Sequence, residues 1–135
     1  MKNLIVADYM SRQFITFTPS MAVVEAAIKL VKNELIGGPV LEEDGKLVGW
    51  ISEQDCLSAV SEVSYYADRV ATVADVMRTP VLTATPEDTL LDMASRMREQ
   101  KPKIYPVVNG AGKVVGVISR RIVLKELCKF IAGKS

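Results

Sequence analysis

Histidine is absent from this chain and cysteine occurs only twice, which limits the side-chain chemistry that it can carry out. Its 135 residues include no histidine, which excludes imidazole metal ligands, histidine acid–base catalysis and serine–histidine pairs. Cys56 and Cys128 lie far apart and form no CxxC pair, so neither a zinc site nor a disulfide framework is indicated. Both lie in apolar helical contexts, which favour buried, reduced thiols. We therefore expect a protein that is not an enzyme and requires no metal.

The hydroxyl of Ser52 and the carboxylate of Asp55 are spaced so that both could act at a single helix start. Ser52 and Asp55 are three residues apart, at the start of a stretch that reads as a helix. This spacing fits a capping box, in which both side chains satisfy free groups at a helix start. The N–H groups of such a helix start, with the Ser52 hydroxyl beside them, also suit phosphate oxygens. Both interpretations stay open from these residues alone.

The charge and hydropathy of the chain limit its expected partners and cellular location. Seventeen basic and sixteen acidic residues give a net charge of +1, which argues against a nucleic-acid binder. No apolar run approaches the roughly 20 residues that cross a bilayer. The N-terminal segment reaches Asp8 too early to form a signal-peptide core. We expect a cytoplasmic protein with neither a nucleic-acid nor a membrane partner.

The elements that must position Ser52 and Asp55 occur twice. Shifting the sequence by 67 positions aligns residues 6–60 with 73–127 without a gap, and 17 of the aligned pairs are identical. The identities cluster in Val-Ala-Asp, Thr-x-Thr-Pro, Pro-Val and Gly-Lys-x-Val-Gly-x-Ile-Ser. Clustering at turns and strand interiors is what a duplicated supersecondary unit produces. We assign repeat 1 with its connecting helix end to residues 1–66, and repeat 2 to residues 67–135.

Each repeat predicts the order strand, helix, strand, strand, helix. The β-prone runs are residues 14–17, 39–41 and 47–51 in repeat 1, and 81–83, 106–108 and 114–118 in repeat 2. Asp44-Gly45 and Ala111-Gly112 predict the turns of two hairpins. One repeat would leave a sheet face uncovered. We therefore expect an α/β (α+β) fold in which two β-α-β-β-α repeats pack sheet to sheet with pseudo-twofold symmetry.

Start signals and apolar spacing predict the helices. Thr18 and Thr85 are predicted N-caps, each followed by a proline at the first helical position, and Ser52 and Ser119 are predicted to cap the closing helices. Apolar residues at helical spacing form a predicted core-facing stripe in each repeat. These are Ala22, Val23, Ala26, Ala27, Leu30 and Val31 in repeat 1, and Leu90, Leu91, Ala94 and Met97 in repeat 2.

The order and duplication of these motifs resemble the cystathionine-β-synthase (CBS) domain, and two in tandem resemble a Bateman module. The resemblance covers the chain from about Leu4 to Phe130. It implies a regulatory sensor that binds AMP, ADP, ATP or S-adenosylmethionine in a cleft between the repeats and signals to a separate protein. It also implies a homodimer. The alternative is a structural dimerisation or interaction module with no physiological nucleotide.

The resemblance gives Ser52 and Asp55 a second possible role. The family's binding signature is Gly-h-h-Ser/Thr-x-x-Asp (h, hydrophobic), which is intact at residues 49–55. It implies that Asp55 accepts hydrogen bonds from the ribose hydroxyls of the ligand, as a carboxylate does in dinucleotide-binding folds. In repeat 2 the aspartate position is Ile122. We therefore expect one competent cleft, with binding of any ligand at the Ile122 cleft left open.

Five further residues are wall candidates by the same resemblance. Ile36 and Gly37 precede Pro-Val in repeat 1, where the glycine leaves room for a base or sugar; a helix C-cap is the alternative for Gly37. Lys103 holds the corresponding position in repeat 2, as a phosphate ligand or a surface charge. Ala74 and Thr79 precede the first strand of repeat 2.

Overall fold

The computed structural model describes residues 4–65, 71–100 and 102–133, and it has the mixed α/β composition that the sequence predicts. Its helices and strands follow one another as α1 (Val6–Tyr9), α2 (Val23–Lys32), β1 (Gly37–Leu41), β2 (Leu47–Ser52), α3 (Glu53–Tyr65), α4 (Val73–Val76), α5 (Leu90–Glu99), β3 (Ile104–Val108), β4 (Val114–Ser119) and α6 (Arg120–Gly133). The strands form two separate antiparallel hairpins, β1–β2 and β3–β4.

The chain divides into two compact units. The first unit is Ile15–Val81, and the second unit joins Met1–Phe14 to Leu82–Ser135. Each unit therefore holds one hairpin with its two longer helices, and a short helix supplied by the start of the other repeat. The predicted repeat boundary between residues 66 and 67 lies outside the described residues and stays a prediction.

The two hairpins have matching registers and turns. Gly37 pairs with Ser52 in the first unit, as Ile104 pairs with Ser119 in the second. Gly45 and Gly112 have φ values of 88° and 81°, a left-handed conformation that favours glycine and confirms both predicted turns. The open end of each hairpin brings the start of one strand beside the first residue of the closing helix.

In place of each predicted first strand there is a single bridge, at the last residue of the predicted run in repeat 1 and one residue after the predicted run 81–83 in repeat 2, so both strand predictions were wrong. Phe17 pairs with Val40, and Ala84 with Val107, in parallel. The N–H of Phe17 donates to the Pro39 carbonyl at 3.0 Å, and the N–H of Leu41 donates to the Phe17 carbonyl at 2.8 Å. The next bonds of the ladder would need N–H groups of Pro39 and Pro19, which proline lacks.

The predicted helix starts at Thr18-Pro19 and Thr85-Pro86 were also wrong. Helix α2 begins at Val23 and α5 at Leu90, four residues later in each repeat. The Thr-Pro pairs form turns instead, since the Thr85 carbonyl accepts the Asp88 N–H at 3.2 Å. The N-cap of α5 is Thr89, whose hydroxyl accepts the Asp92 N–H at 3.0 Å. At the closing helices the prediction was right, because Ser52 and Ser119 cap α3 and α6.

Each unit has its own apolar core, and the predicted stripes supply part of each. Leu30 is buried in the first unit and Leu90 in the second. Val31 and Leu91 were wrongly predicted to face the core, since they are 79% and 52% exposed. Both helices carry apolar residues on more than one face, so spacing alone did not identify the buried side.

Two further sequence predictions were incomplete at the level of single residues. Met93 is buried in the second core and was not part of the predicted stripe. Cys56 is buried as expected, whereas Cys128 is exposed, contrary to prediction.

Among the described residues, no helix combines the length and apolar character that membrane spanning requires.

Candidate ligand-binding site

Ser52 and Asp55 meet at the junction of β2 and α3. The Ser52 hydroxyl oxygen accepts the Asp55 backbone N–H at 3.0 Å and donates its own proton to Asp55 Oδ2 at 2.8 Å. The hydroxyl thus caps α3 and orients the carboxylate with one atom. An acidic group in the first helical turn also meets the positive end of the helix dipole.

Arg78 holds both oxygens of the Asp55 carboxylate. Its Nε lies 2.9 Å from Oδ2 and its Nη2 lies 3.1 Å from Oδ1, which is the paired geometry that a guanidinium makes with a carboxylate. The Asp55 side chain is 16% exposed and that of Arg78 is 67% exposed. The acid is therefore partly enclosed, while its counter-ion extends into solvent.

The position of Arg78 follows from the backbone contacts of the segment after α4. Trp50 and Arg78 exchange two backbone hydrogen bonds of 3.1 and 2.9 Å, so this segment lies beside β2. The preceding residue, Met77, packs where β2 has a glycine: a Cβ at Gly49 would come within 2.5 Å of the Met77 sulfur. The repeated glycine and methionine thus fix the segment that carries the arginine.

The Arg78 pair changes the acidity of Asp55. Partial burial would raise the pKa of this carboxyl, but the hydrogen bonds from Arg78 and Ser52 and the charge of Arg78 together lower it below 3.8. Burial, together with the charge of this carboxylate, raises the pKa of the neighbouring Cys56 thiol. Asp55 is therefore ionised near neutral pH, and Cys56 remains a protonated thiol.

Ile36 and Gly37 lie beside this pair at the open end of the hairpin. The Ile36 carbonyl accepts the Glu53 N–H at 2.9 Å, and Gly37 pairs with Ser52. The room predicted at Gly37 is filled by the chain itself, because a Cβ there would lie 2.5 Å from the Trp50 indole nitrogen. The alternative of a helix C-cap was wrong: α2 ends at Lys32, and the left-handed residue after it is Glu34, with a φ of 55°.

The remaining predicted wall residues are less closely grouped. Thr79 is exposed and directly follows Arg78. Ala74 is exposed on α4, with its N–H bonded to the Pro19 carbonyl at 2.9 Å. Lys103 is exposed in the second unit, where its carbonyl accepts the Arg120 N–H at 2.8 Å. Lys103 thus takes in the second unit the place that Ile36 takes in the first.

The matching junction of the second unit has neither charge. Ile122 stands where Asp55 would be, and its N–H donates to the Ser119 hydroxyl at 3.1 Å, so the cap is kept. Its partly buried side chain packs against the core of the second unit. Ser11 bridges Val117 as Arg78 bridges Trp50. The serine cap is therefore common to both units, and the Asp–Arg pair belongs to the first.

A depression of about 560 Å³ lies at the opposite, turn end of the β1–β2 hairpin. It is lined by Thr18, Pro19, Ser20, Leu41, Glu42, Glu43 and Asp44. Its three carboxylates would repel an anionic ligand. Within the described ranges, no three His, Cys, Asp or Glu side chains are grouped so that they could hold a metal ion.

Sequence reasoning missed Arg78 as part of this site. The arginine is 23 residues from Asp55, and its counterpart in the other repeat is a serine, so neither spacing nor repetition marks it. The available signal was Met77 next to it, which repeats Met10 and fixes the register of the segment. Trp50 lies within the binding signature at residues 49–55, but nothing in the sequence indicates that it packs over Gly37.

Comparison with known proteins gives consistent family matches over both repeats. The family model described as the CBS domain matches residues 6–62 and again residues 73–129. The L-aspartate semialdehyde sulfurtransferase of Methanocaldococcus jannaschii is 28% identical over 130 residues, which are 96% of this chain. The chain spans only 24% of that enzyme's length.

Two solved structures are similar over almost their whole length. CBSX2 of Arabidopsis thaliana in complex with AMP is 27% identical, with a TM-score of 0.83, over 95% of this chain and 98% of that one. The CBS domain pair of protein MJ0100, in complex with 5′-methylthioadenosine and S-adenosyl-L-methionine, is 27% identical with a TM-score of 0.75. That alignment covers 97% of this chain and 98% of the other.

Proposed function

Since this chain belongs to the CBS domain family and carries two copies in tandem, we propose that it is a regulatory module that binds an adenosine-containing ligand. The candidates are AMP, ADP, ATP and S-adenosylmethionine, each acting as a signal and none as a substrate, with no metal required. The similar CBS pairs crystallised with AMP, and with 5′-methylthioadenosine and S-adenosyl-L-methionine, support this class of ligand.

The observation that carries the proposal is the carboxylate of Asp55 at the junction of β2 and α3. Ser52 holds it in a fixed orientation through a 2.8 Å hydrogen bond, and it is ionised. Two carboxylate oxygens can accept both hydroxyls of a ribose. Ile36 and Gly37, which are bonded to the junction, and Thr79, which follows Arg78, are proposed walls, while Ala74 and Lys103 stay proposed contacts with less support.

The output of such a module would go to a separate protein, through a shift between conformations that the ligand binds unequally. We propose a homodimer in the cytoplasm, with no nucleic-acid or membrane partner. An apolar stripe on α2 supports an interface between subunits: Val24, Ile28 and Val31 share one face and are 46%, 62% and 79% exposed.

Thermal unfolding with a ligand panel tests the proposal. A ligand at a hundred times its Kd should stabilise the protein by about 2.7 kcal/mol, which is readily measured as a rise in Tm. The panel is AMP, ADP, ATP, S-adenosylmethionine and 5′-methylthioadenosine, with GMP as the control for the base. A rise with at least one adenosine compound, and a smaller one with GMP, is expected; no rise with any adenosine compound would contradict the proposal.

The Arg78–Asp55 pair favours one other candidate function. A carboxylate already bonded to a guanidinium and a serine hydroxyl is also what a purely structural junction would contain. The protein would then be a dimerisation or interaction module with no physiological nucleotide. In that case the ligand panel would leave the Tm unchanged, while the Tm would still rise with protein concentration as the dimer forms.

A further inference from the structure

We propose that Arg78 selects the ligand by charge, because it neutralises Asp55 when no ligand is bound and pairs with an anionic group of the ligand when the ribose replaces it. This inference rests on the proposed function and narrows its ligand class to phosphorylated adenosine compounds. It concerns the first unit alone, where both charged residues lie.

The first step of the argument is that the arginine and a ribose would use the same atoms. Nε and Nη2 of Arg78 donate to Oδ2 and Oδ1 of Asp55 at 2.9 and 3.1 Å. A carboxylate has about four acceptor positions, and Ser52 with Arg78 already fills three of them, so two ribose hydroxyls would exceed the number that remains. Ribose binding and the Arg78 pair therefore compete.

The second step is that the side chain of Arg78 is free to exchange partners while its backbone stays in place. Two backbone hydrogen bonds with Trp50 fix the position of the residue beside β2. Its side chain is 67% exposed, so leaving Asp55 returns the guanidinium to water at little cost. Ser52 continues to hold the carboxylate through its own hydrogen bond.

The third step concerns the charge that is left over. An arginine cannot lose its proton, so a displaced Arg78 carries a positive charge beside the bound ligand. A phosphate on the ligand would pair with it, and guanidinium–phosphate pairs are strong and directional. A neutral thioether would leave it unpaired, and a sulfonium would repel it.

The arginine should therefore raise the affinity for AMP and lower the affinity for 5′-methylthioadenosine. These two ligands make a matched pair, because they share adenine and ribose and differ at the 5′ position in charge. Calorimetric titration with each would measure the preference of the wild-type protein. Arg78→Gln removes the charge, Arg78→Lys keeps it without the paired geometry, and Arg12→Gln removes one exposed arginine from the second unit as the control.

We expect the wild-type protein to prefer AMP. In Arg78→Gln, AMP should bind about ten-fold more weakly, as expected for losing a charge-assisted hydrogen bond, whereas 5′-methylthioadenosine should bind more tightly. Arg78→Lys should retain part of the preference for AMP, and Arg12→Gln all of it. Added salt should reduce the preference in the wild-type protein and have little effect on it in Arg78→Gln.

Two results would overturn the inference while leaving the proposed function intact. One is a wild-type protein that prefers 5′-methylthioadenosine; the other is an Arg78→Gln variant in which both affinities are unchanged or fall equally. Wild-type protein that binds neither ligand, and shows no rise in Tm with the wider panel, would instead contradict the proposed function and this inference with it.

Discussion

At Asp55 the backbone takes part in a helix cap, which leaves the carboxylate available for other partners. The cap of α3 comes from the Ser52 hydroxyl, which takes the Asp55 backbone N–H. The described hydrogen bonds of the Asp55 carboxylate go to side chains, those of Ser52 and Arg78. Because the carboxylate bonds to exchangeable side-chain donors, a role in capping does not exclude a role in binding ribose.

The lowered pKa of Asp55 makes the stability of the first unit depend on pH. A carboxyl with a folded-state pKa below 3.8 contributes stability above its unfolded pKa and loses it as the pH falls through the folded value. We expect Asp55→Asn to destabilise the protein at about pH 7 and to cost progressively less below about pH 4. Urea unfolding of both proteins across this range measures the difference.

A control variant away from the site shows whether the pH dependence is specific to Asp55. Glu62 is exposed on the same helix, so Glu62→Gln changes the charge equally at a distance from the site. Its effect on the free energy of unfolding should stay small at every pH. An effect of Asp55→Asn that is constant or grows down to about pH 3 would contradict the stated origin of the shift.

The candidate site was predictable from the sequence only where the binding motif runs along the chain. Ser52 and Asp55 lie within one helical turn, so their spacing predicts their contact. Arg78 is brought to Asp55 by the backbone bridge between Trp50 and Arg78, and this bridge joins segments that are far apart in sequence. No local pattern encodes that pairing.

At the level of elements, a basic side chain on the first long helix of each unit bonds to a backbone carbonyl and lies over an aromatic ring, but the ring belongs to a different position in each unit. Lys29 on α2 donates to the Thr16 carbonyl and lies over the Phe17 ring. Arg96, its counterpart on α5, donates to the Thr83 carbonyl but lies over the Tyr105 ring. The ring thus belongs to the bridge residue in the first unit and to the hairpin strand β3 in the second.

The different position of the ring explains why the first unit has a glycine at position 38. A Cβ at Gly38 would come within 2.6 Å of the Phe17 ring, so the first unit requires a small residue there. In the second unit the bridge residue is Ala84, and the buried Tyr105 fills the space. Paired changes of this kind preserve the element while lowering the identity between repeats.

The helix starts provide a test at the same scale. Thr89→Ala should lower the free energy of unfolding by about 1 kcal/mol, because its hydroxyl caps α5. Thr85→Ala, in the preceding turn, should cost less than about 0.5 kcal/mol. Chemical unfolding of both variants measures the difference; equal costs, or a larger one for Thr85→Ala, would support the Thr-Pro start predicted from sequence.

For the whole molecule, the repeat offset predicted the order of the two hairpins and the four longer helices, but not the loss of each first strand or the short helices α1 and α4. It could not predict that α4 packs within the first unit and α1 within the second. The N–H of Ala74 bonds to the Pro19 carbonyl, and that of Ala7 to the Pro86 carbonyl, in the same way. Since both short helices carry the same Val-Ala-Asp motif, the sequence does not show which unit each one joins.

The asymmetry between the repeats leads to the central claim, which is one adenosine site per chain that depends on Asp55. Calorimetric titration of the wild-type protein with AMP, beside Asp55→Asn and the control Glu62→Gln, tests it most directly. We predict one site per chain, unchanged affinity in Glu62→Gln, and at least about ten-fold weaker binding in Asp55→Asn through loss of a charge-assisted hydrogen bond. Two equal sites per chain, or full affinity in Asp55→Asn, would contradict the account.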